Sequence, residues 1–159
     1  MILSHGFAIG SECSGGCEDI VLQNSVVSDA NGSSPFLLIV KSAKGRGGYI
    51  RNLLLHNVTG ARVADPDQAS NGIGIRFDLE SSGTATENIT LSDVHIDSCS
   101  GLAGRLYGDE LTGGVKGLRL INVTVAKSPG GWVCKHLVHP VFVNVTPAPD
   151  AKGGCMDGY

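Results

Sequence analysis

Five cysteines are the residues whose type and spacing most directly suggest chemistry: Cys13, Cys17, Cys99, Cys134 and Cys155. They are typical of a protein made in an oxidising compartment, but their number is odd, so one thiol is free or its partner lies outside the chain. Cys13 and Cys17 flank Ser-Gly-Gly and could close a small loop. Because C-x-x-x-C without a matching second pair is not a usual zinc pattern, we expect no metal and no cofactor.

Five N-x-Ser/Thr sequons point to the same compartment. They begin at Asn31, Asn57, Asn88, Asn122 and Asn144. Such motifs are glycan acceptors in secreted proteins, so we predict an extracellular protein. The first residues run directly into a strand-like segment without a signal peptide, so we expect an amino-terminal portion to be missing.

The overall composition excludes two classes of partner. A net charge of -3 gives no reason to expect nucleic acid. No apolar run approaches the roughly 20 residues needed to span a membrane. The 23 glycines, with aromatic residues at only 5%, favour many short stacked strands over a helical bundle.

Four segments with one shared pattern form an internal repeat. They begin at residues 18, 51, 87 and 116 and read EDIVLQNSVV, RNLLLHNVTG, ENITLSDVHI and KGLRLINVTV. Each carries aliphatic residues at its third and fifth positions and a polar residue at its seventh: Asn24, Asn57, Asp93 and Asn122. We interpret the polar positions as a stacked, hydrogen-bonded ladder, beside which Asn57 and Asn122 are poor glycan acceptors.

A second set of short apolar segments alternates with the first. It reads GFAIGSE, FLLIVKS, GIGIRFD and GLAGRLY, and GWVCKHLV at 131–138 looks like a fifth member. Alternation at period two predicts strands with one buried face. Repeats of this size bury their faces by stacking, so the pattern predicts an all-β solenoid with at least two strands per coil.

Two motifs resemble a known enzyme family. The stretch His5-Gly6-Phe7-Ala8-Ile9-Gly10-Ser11 is similar to the HG-x-x-IGS segment of glycoside hydrolase family 28, the polygalacturonases, and Val40-Lys41-Ser42 followed by GRGGY resembles its R-I-K segment in the exo-type branch. The resemblance implies a right-handed parallel β-helix, a single-stranded pectin-lyase-like solenoid. Residues 1–159 would form one domain of carboxy-terminal coils, with a terminal coil and tail at 131–159. Cys134 and Cys155 resemble the terminal disulfide of plant members, which would leave Cys99 unpaired.

The same resemblance implies inverting hydrolysis of galacturonan, the acidic backbone of pectin, in the cell wall. That reaction needs one carboxylic acid and one carboxylate on opposite faces of the sugar. The family supplies them from N-T-D and D-D motifs, neither of which occurs in this sequence. We therefore expect this chain to be inactive alone, with its catalytic aspartates upstream.

Two residues match functional positions of the family. His5 matches its active-site histidine, which sets the ionisation of a catalytic aspartate. Lys41 matches the lysine of R-I-K, whose ammonium would bind a galacturonate carboxylate. Ile39 stands where the family has arginine, so the bidentate carboxylate clamp is missing there. Lys44 and Arg46 follow Lys41 but fit a solvated turn.

Two other functions stay open on the sequence. One is a non-catalytic β-solenoid that binds acidic polysaccharide through Lys41. The other is a calcium-dependent pectate lyase, which the loop-like Asp65 and Asp67 support poorly. We expect a monomer when the protein is complete, and association through residues 1–9 if this chain is expressed alone.

Overall fold

Parallel strands of 2 to 15 residues are the main elements of the part of the chain that the structure describes. The structure, a computed structural model, describes residues 2–3, 6–28, 35–64 and 72–155. The strands described there are β1 (Ile2–Leu3), β2 (Phe7–Ser11), β3 (Cys17–Val27), β4 (Leu38–Ser42), β5 (Tyr49–Val63), β6 (Ile75–Asp78), β7 (Ala85–Cys99), β8 (Leu102–Tyr107), β9 (Val115–Val125), β10 (Gly130–Lys135), β11 (Leu137–Val138) and β12 (Val141–Thr146). A single 3-10 turn, Glu110–Thr112, is the one helical element of the described ranges, and none of their helices is long and apolar enough to cross a membrane.

From β1 to β11, successive strands alternate between two separate parallel sheets, and β12 joins the same sheet as β11. The larger sheet has the order β1-β3-β5-β7-β9-β11, with β12 also paired to β9, and the smaller sheet has the order β10-β8-β6-β4-β2. The chain is therefore all-β, but the predicted right-handed parallel β-helix of the single-stranded pectin-lyase-like type is wrong. The reason is physical. Period-two alternation and a repeat of about 30 residues favour parallel pairing between repeats, but they do not determine how the strands divide into sheets.

The inward residues of both sheets form one apolar core. In β6, Ile75 and Phe77 are fully buried. Arg76 and Asp78, which alternate with them along the strand, are half-buried. In the larger sheet, Leu55, Leu91 and Leu120 follow one another in register and are all fully buried. Because side chains alternate across a strand, burying one set turns the intervening set outward. This alternation places the polar residues of the smaller sheet on its outer face.

The predicted polar ladder is present in the larger sheet. Asn57 Nδ2 donates to Asn24 Oδ1 over 2.7 Å, and Asn122 Nδ2 donates to Asp93 Oδ1 over 2.9 Å. Asn144 extends the stack by donating to Asn122 over 3.0 Å. All five residues have a positive φ, between 51° and 54°, which asparagine and aspartate tolerate better than most residues. The hydrogen bonds therefore join side chains at the positions where the strands take up this left-handed backbone conformation.

A second ladder lies five residues earlier in each repeat. Asn52 Nδ2 donates to Asp19 Oδ1 and Asn88 Nδ2 to Asn52 Oδ1, both over 2.8 Å. These residues also have a positive φ, and Gly117 occupies the same conformation in β9. Four of the five sequon asparagines thus belong to ladders: Asn57, Asn88, Asn122 and Asn144. Asn31 lies outside the described residues.

The cysteines pair as the sequence suggested. Cys13 is bonded to Cys17 and Cys134 to Cys155, and Cys99 is free and buried. The second bridge ties the segment after β12 to β10, and Cys134 N also donates to Gly153 O over 2.7 Å. Two disulfides are consistent with an extracellular protein.

The Cys99 thiol gives a direct test of this pairing. Burial raises the pKa of Cys99 from 9.0 to about 12, so the thiol stays protonated and shielded at pH 8. Without reductant, we expect Ellman's reagent to detect no thiol in the native protein and one after unfolding. Since the unfolded chain releases this proton near pH 9, stability should fall as pH rises from 9 to 12. The Cys99→Ser variant should show no thiol in either state, and rapid labelling of native protein at pH 8 would contradict the prediction.

Candidate polysaccharide-binding face

The outer face of the smaller sheet collects charged residues in two columns. One column runs Ala8, Ile39, Arg76, Arg105, Val133 across β2, β4, β6, β8 and β10. The other runs Gly10, Lys41, Asp78, Tyr107, Lys135 across the same strands. Neighbouring strands lie about 4.8 Å apart, so the groups are regularly spaced along each column. Ile39 is buried, and the other nine side chains or glycines are half-buried or exposed. We call these ten residues the outer face.

The centre of the outer face is an Arg-Asp-Arg cluster. Arg76 Nε donates to Asp78 Oδ2 over 2.5 Å. Arg105 donates to Asp78 Oδ1 from Nη2 over 2.5 Å and from Nε over 3.1 Å. The side chains of Arg76, Asp78 and Arg105 are 32%, 25% and 28% exposed, so the cluster is half-buried and less screened than a surface pair. Two positive charges against one carboxylate leave a net positive centre.

Tyr107 lies beside this cluster and is flanked by two cations. The guanidinium carbon of Arg105 is 5.5 Å from the ring centroid, and Lys135 Nζ is 4.5 Å from it. Both distances fit cation–π contacts. Lys135 also pairs with Glu80, 3.1 Å away, just beyond the end of β6. The ring and Lys135 thus continue the charged surface from β8 to β10, where Glu80 balances the charge of Lys135.

Of the two predicted site residues, one is described and belongs to this face. Lys41 is exposed in β4, next to Asp78 in register, and its ammonium has no hydrogen-bond or ion-pair partner within the described ranges. His5, the predicted catalytic histidine, lies outside the described residues. The motif that follows His5 forms β2, where Gly10 has a φ of 112° and any Cβ would lie 1.7 Å from the carbonyl oxygen of Lys41. Gly10 is therefore what lets β2 approach β4 at Lys41.

The two arginines of the face are the functional candidates that sequence reasoning missed. Ile39, the position at which the resemblance led us to look for an arginine, pairs in register with Arg76 on the neighbouring strand. The available signal was alignment within the second set of segments, since Arg76 and Arg105 are each the fifth residue of GIGIRFD and GLAGRLY. By contrast, Arg46 pairs with Glu12 over 3.1 Å, and Lys44 lies in an exposed turn.

A cavity of about 140 Å³ adjoins the outer face at the carboxyl ends of β6, β8 and β10. Its lining includes Glu80, Asp109, Glu110 and His136. Asp109 is buried and serves the fold: it accepts hydrogen bonds from Leu111 N over 3.0 Å and from Ser82 Oγ over 3.3 Å, as well as from Gly83 N. No group of three or more metal-ligating side chains comes together within the described ranges.

No protein-family model, curated protein or solved structure matches this chain. The likeness to glycoside hydrolase family 28 therefore rests on the motifs themselves, His5–Ser11 and the segment around Lys41.

Proposed function

We propose that the outer face binds galacturonan, the acidic backbone of pectin, as the substrate-binding part of a polygalacturonase-type glycoside hydrolase secreted to the cell wall. The observation that carries the proposal is a set of four cations on the outer face, one on each of four neighbouring strands of the smaller sheet: Lys41, Arg76, Arg105 and Lys135. A polymer with one carboxylate on every sugar offers a partner to each of them. Guanidinium groups bind carboxylates with two parallel hydrogen bonds, and ammonium groups bind them as point charges.

The face also offers a surface for the sugar ring. Tyr107 presents an aromatic side chain between Arg105 and Lys135. An aromatic body with a polar tip is suited to contact the apolar face of a pyranose while neighbouring cations bind its carboxylate. The combination favours an acidic sugar over a neutral one.

Cleavage needs more than this face provides. Inverting hydrolysis requires two carboxyl groups about 6.5–9.5 Å apart. One protonates the leaving oxygen, and the other activates a water molecule that attacks the opposite face of the sugar. Asp78 is the carboxylate of the outer face, and both of its oxygens accept hydrogen bonds from arginine. We therefore expect this chain to bind galacturonan without cleaving it. Because both oxygens of Asp78 already accept hydrogen bonds, the outer face is equally compatible with the second candidate, a non-catalytic protein that binds acidic polysaccharide.

Binding of polygalacturonate tests the proposal. We expect the unsubstituted chain to bind it in isothermal titration calorimetry and to bind a neutral galactan far more weakly. Because hydrogen bonds to charged groups contribute about 1.5–3 kcal/mol each, the Lys41→Ala/Arg105→Ala double variant should bind at least about tenfold more weakly. Lys116→Ala/Arg119→Ala removes the same charge from exposed positions of β9 and should bind normally. Equal weakening in both double variants would contradict binding at the outer face.

A reducing-sugar assay on polygalacturonate separates the two candidates. The chain alone should release no reducing ends above background. If binding is present and a longer form of the protein cleaves the polymer, the hydrolase proposal is supported. Release of reducing ends by residues 1–159 would show that the carboxyl groups needed for hydrolysis are within this chain.

A further inference from the structure

Asn88 differs from the other described sequon asparagines in what lies beside its side chain. On one side, its Nδ2 donates to Asn52 Oδ1 over 2.8 Å. On the other side, the register of β7 with β9 places Gly117 opposite it, and a Cβ at Gly117 would lie 3.6 Å from Asn88 N. Because Gly117 has no side chain, the second ladder leaves the space on this side of Asn88 unfilled.

Asn57 and Asn122 have ladder side chains on both sides. Asn57 lies between Asn24, to which it donates, and Asp93. Asn122 donates to Asp93 and accepts from Asn144. Neighbouring strands are about 4.8 Å apart, so a sugar on either nitrogen would have another side chain within one strand spacing on each side.

Asn144 is the last member of the first ladder within the described ranges. Its sequon threonine, Thr146, is followed directly by Pro147. The residue before a proline is restricted to extended backbone. This restriction disfavours the bent conformation in which a sequon brings its threonine hydroxyl beside the acceptor amide. Asn88, whose sequon threonine is not followed by proline, has neither disadvantage.

A surface cavity of about 270 Å³ adjoins Asn88. It is lined by Asn52, Leu53, Leu54, Asn88 and Thr90. Leu54 is half-buried, so the cavity combines an apolar surface with amide and hydroxyl groups. N-acetylglucosamine, the first sugar of an N-linked glycan, has a matching combination of apolar ring face, amide and hydroxyls.

Attachment of a glycan is compatible with the ladder bond of Asn88. In the transfer, Nδ2 bonds to C1 of the first sugar of a lipid-linked oligosaccharide, and the bond from C1 to the lipid diphosphate breaks. The diphosphate lipid leaves, Nδ2 gives up one proton, and nothing is oxidised or reduced. An asparagine amide has two N–H donors, so one remains to donate to Asn52 Oδ1.

We propose that Asn88 is an N-glycosylation site of the secreted protein, whereas Asn57 and Asn122 stay unmodified. Transfer acts on the chain before folding is complete, so the folded ladders decide which glycosylated chains reach the native state. Asn88 belongs to the larger sheet, so its glycan lies on a different sheet from the outer face.

Peptide mapping by mass spectrometry tests the inference on the chain secreted from eukaryotic cells, with each glycan trimmed to one sugar by an endoglycosidase. We expect that sugar on the peptide containing Asn88 and none on those containing Asn57 and Asn122. Thr90→Ala removes the sequon but keeps the Asn88 amide, so the secreted protein should lose one glycan. Thr124→Ala removes the sequon of Asn122 in the same way and should lose none.

Thr90→Ser is the matched control at the same position, since it keeps the sequon and should keep the glycan. The peptide map of the unsubstituted protein needs no variant, so it decides the question even if a substitution prevents folding. Asn88 without a sugar in the secreted protein would overturn the inference, as would loss of a glycan in Thr124→Ala.

Discussion

Replacement of Phe77 by alanine is expected to lower the free energy of unfolding by about 3–5 kcal/mol, the range for a buried phenylalanine. Phe77 is fully buried and lies in register between Val40 and Leu106. Removal of its ring leaves a cavity in the core. Since β6 is hydrogen-bonded to β4 on one side and β8 on the other, the strands cannot move freely to fill that cavity. Urea unfolding followed by circular dichroism measures the change.

The same substitution should also weaken the outer face. Arg76 and Asp78 flank Phe77 in β6, so a shift of this strand into the cavity displaces both. We expect weaker binding of polygalacturonate at temperatures where the variant is still folded. Leu111→Ala is the matched control, because Leu111 is 78% exposed in the 3-10 turn and its removal opens no cavity. A loss of less than about 1 kcal/mol in Phe77→Ala would show that this core does not depend on close packing.

Removal of the Cys134–Cys155 disulfide, by changing both residues to serine, is expected to cost about 3 kcal/mol. The two cysteines are 21 residues apart, and closing that loop restricts the unfolded chain. In the folded state the bridge holds the segment whose Gly153 O accepts from Cys134 N and whose Pro147 O accepts from Trp132 Nε1 over 2.7 Å. Differential scanning calorimetry of the oxidised protein and the double-serine variant measures the loss.

The shorter disulfide provides the comparison. Cys13 and Cys17 are only 4 residues apart, so the same chain-entropy argument assigns their bridge about 2 kcal/mol. The double-serine variant at Cys13 and Cys17 should therefore unfold at a higher temperature than the one at Cys134 and Cys155. The reverse order would indicate that restriction of the unfolded chain is not the main effect of the bridges.

The sequence predicted local features of this protein better than its architecture. Alternation at period two correctly separated inward from outward residues, because burial of one strand face is decided within the strand. The ladder around Asn57 and Asn122 was predictable because a short polar side chain, asparagine or aspartate, recurs at one position of each repeat. The second ladder was not predicted, because the polar pattern is interrupted. Asp19, Asn52 and Asn88 occupy this position in the first three repeats, but Gly117 occupies it in the fourth.

The candidate site was predicted only in part for a different reason. Lys41 was predicted from its motif. The placement of Arg76 beside Arg105 depends instead on how their strands pair, and these strands are separated by loops of unequal length. Such register is fixed by packing of the whole sheet and cannot be read from one segment. The division of the strands into two sheets depends in the same way on where the chain bends between segments, so the predicted solenoid type failed while the strands themselves were correct.

The pairing between repeats has a consequence for how quickly this protein folds. Ile20 pairs with Leu53, Leu53 with Ile89 and Ile89 with Leu118, so in the middle of the larger sheet each strand pairs with residues 29 to 36 positions away. All strand pairs of the described ranges are parallel, and parallel neighbours need a long crossover between them, so folding of these strands cannot start from a tight hairpin. Chains dominated by non-local pairs fold in roughly milliseconds to seconds, far more slowly than helical bundles of equal stability. During synthesis, one edge of each new strand can pair only after the next repeat has been made. Until then that edge is unpaired and can associate with other chains.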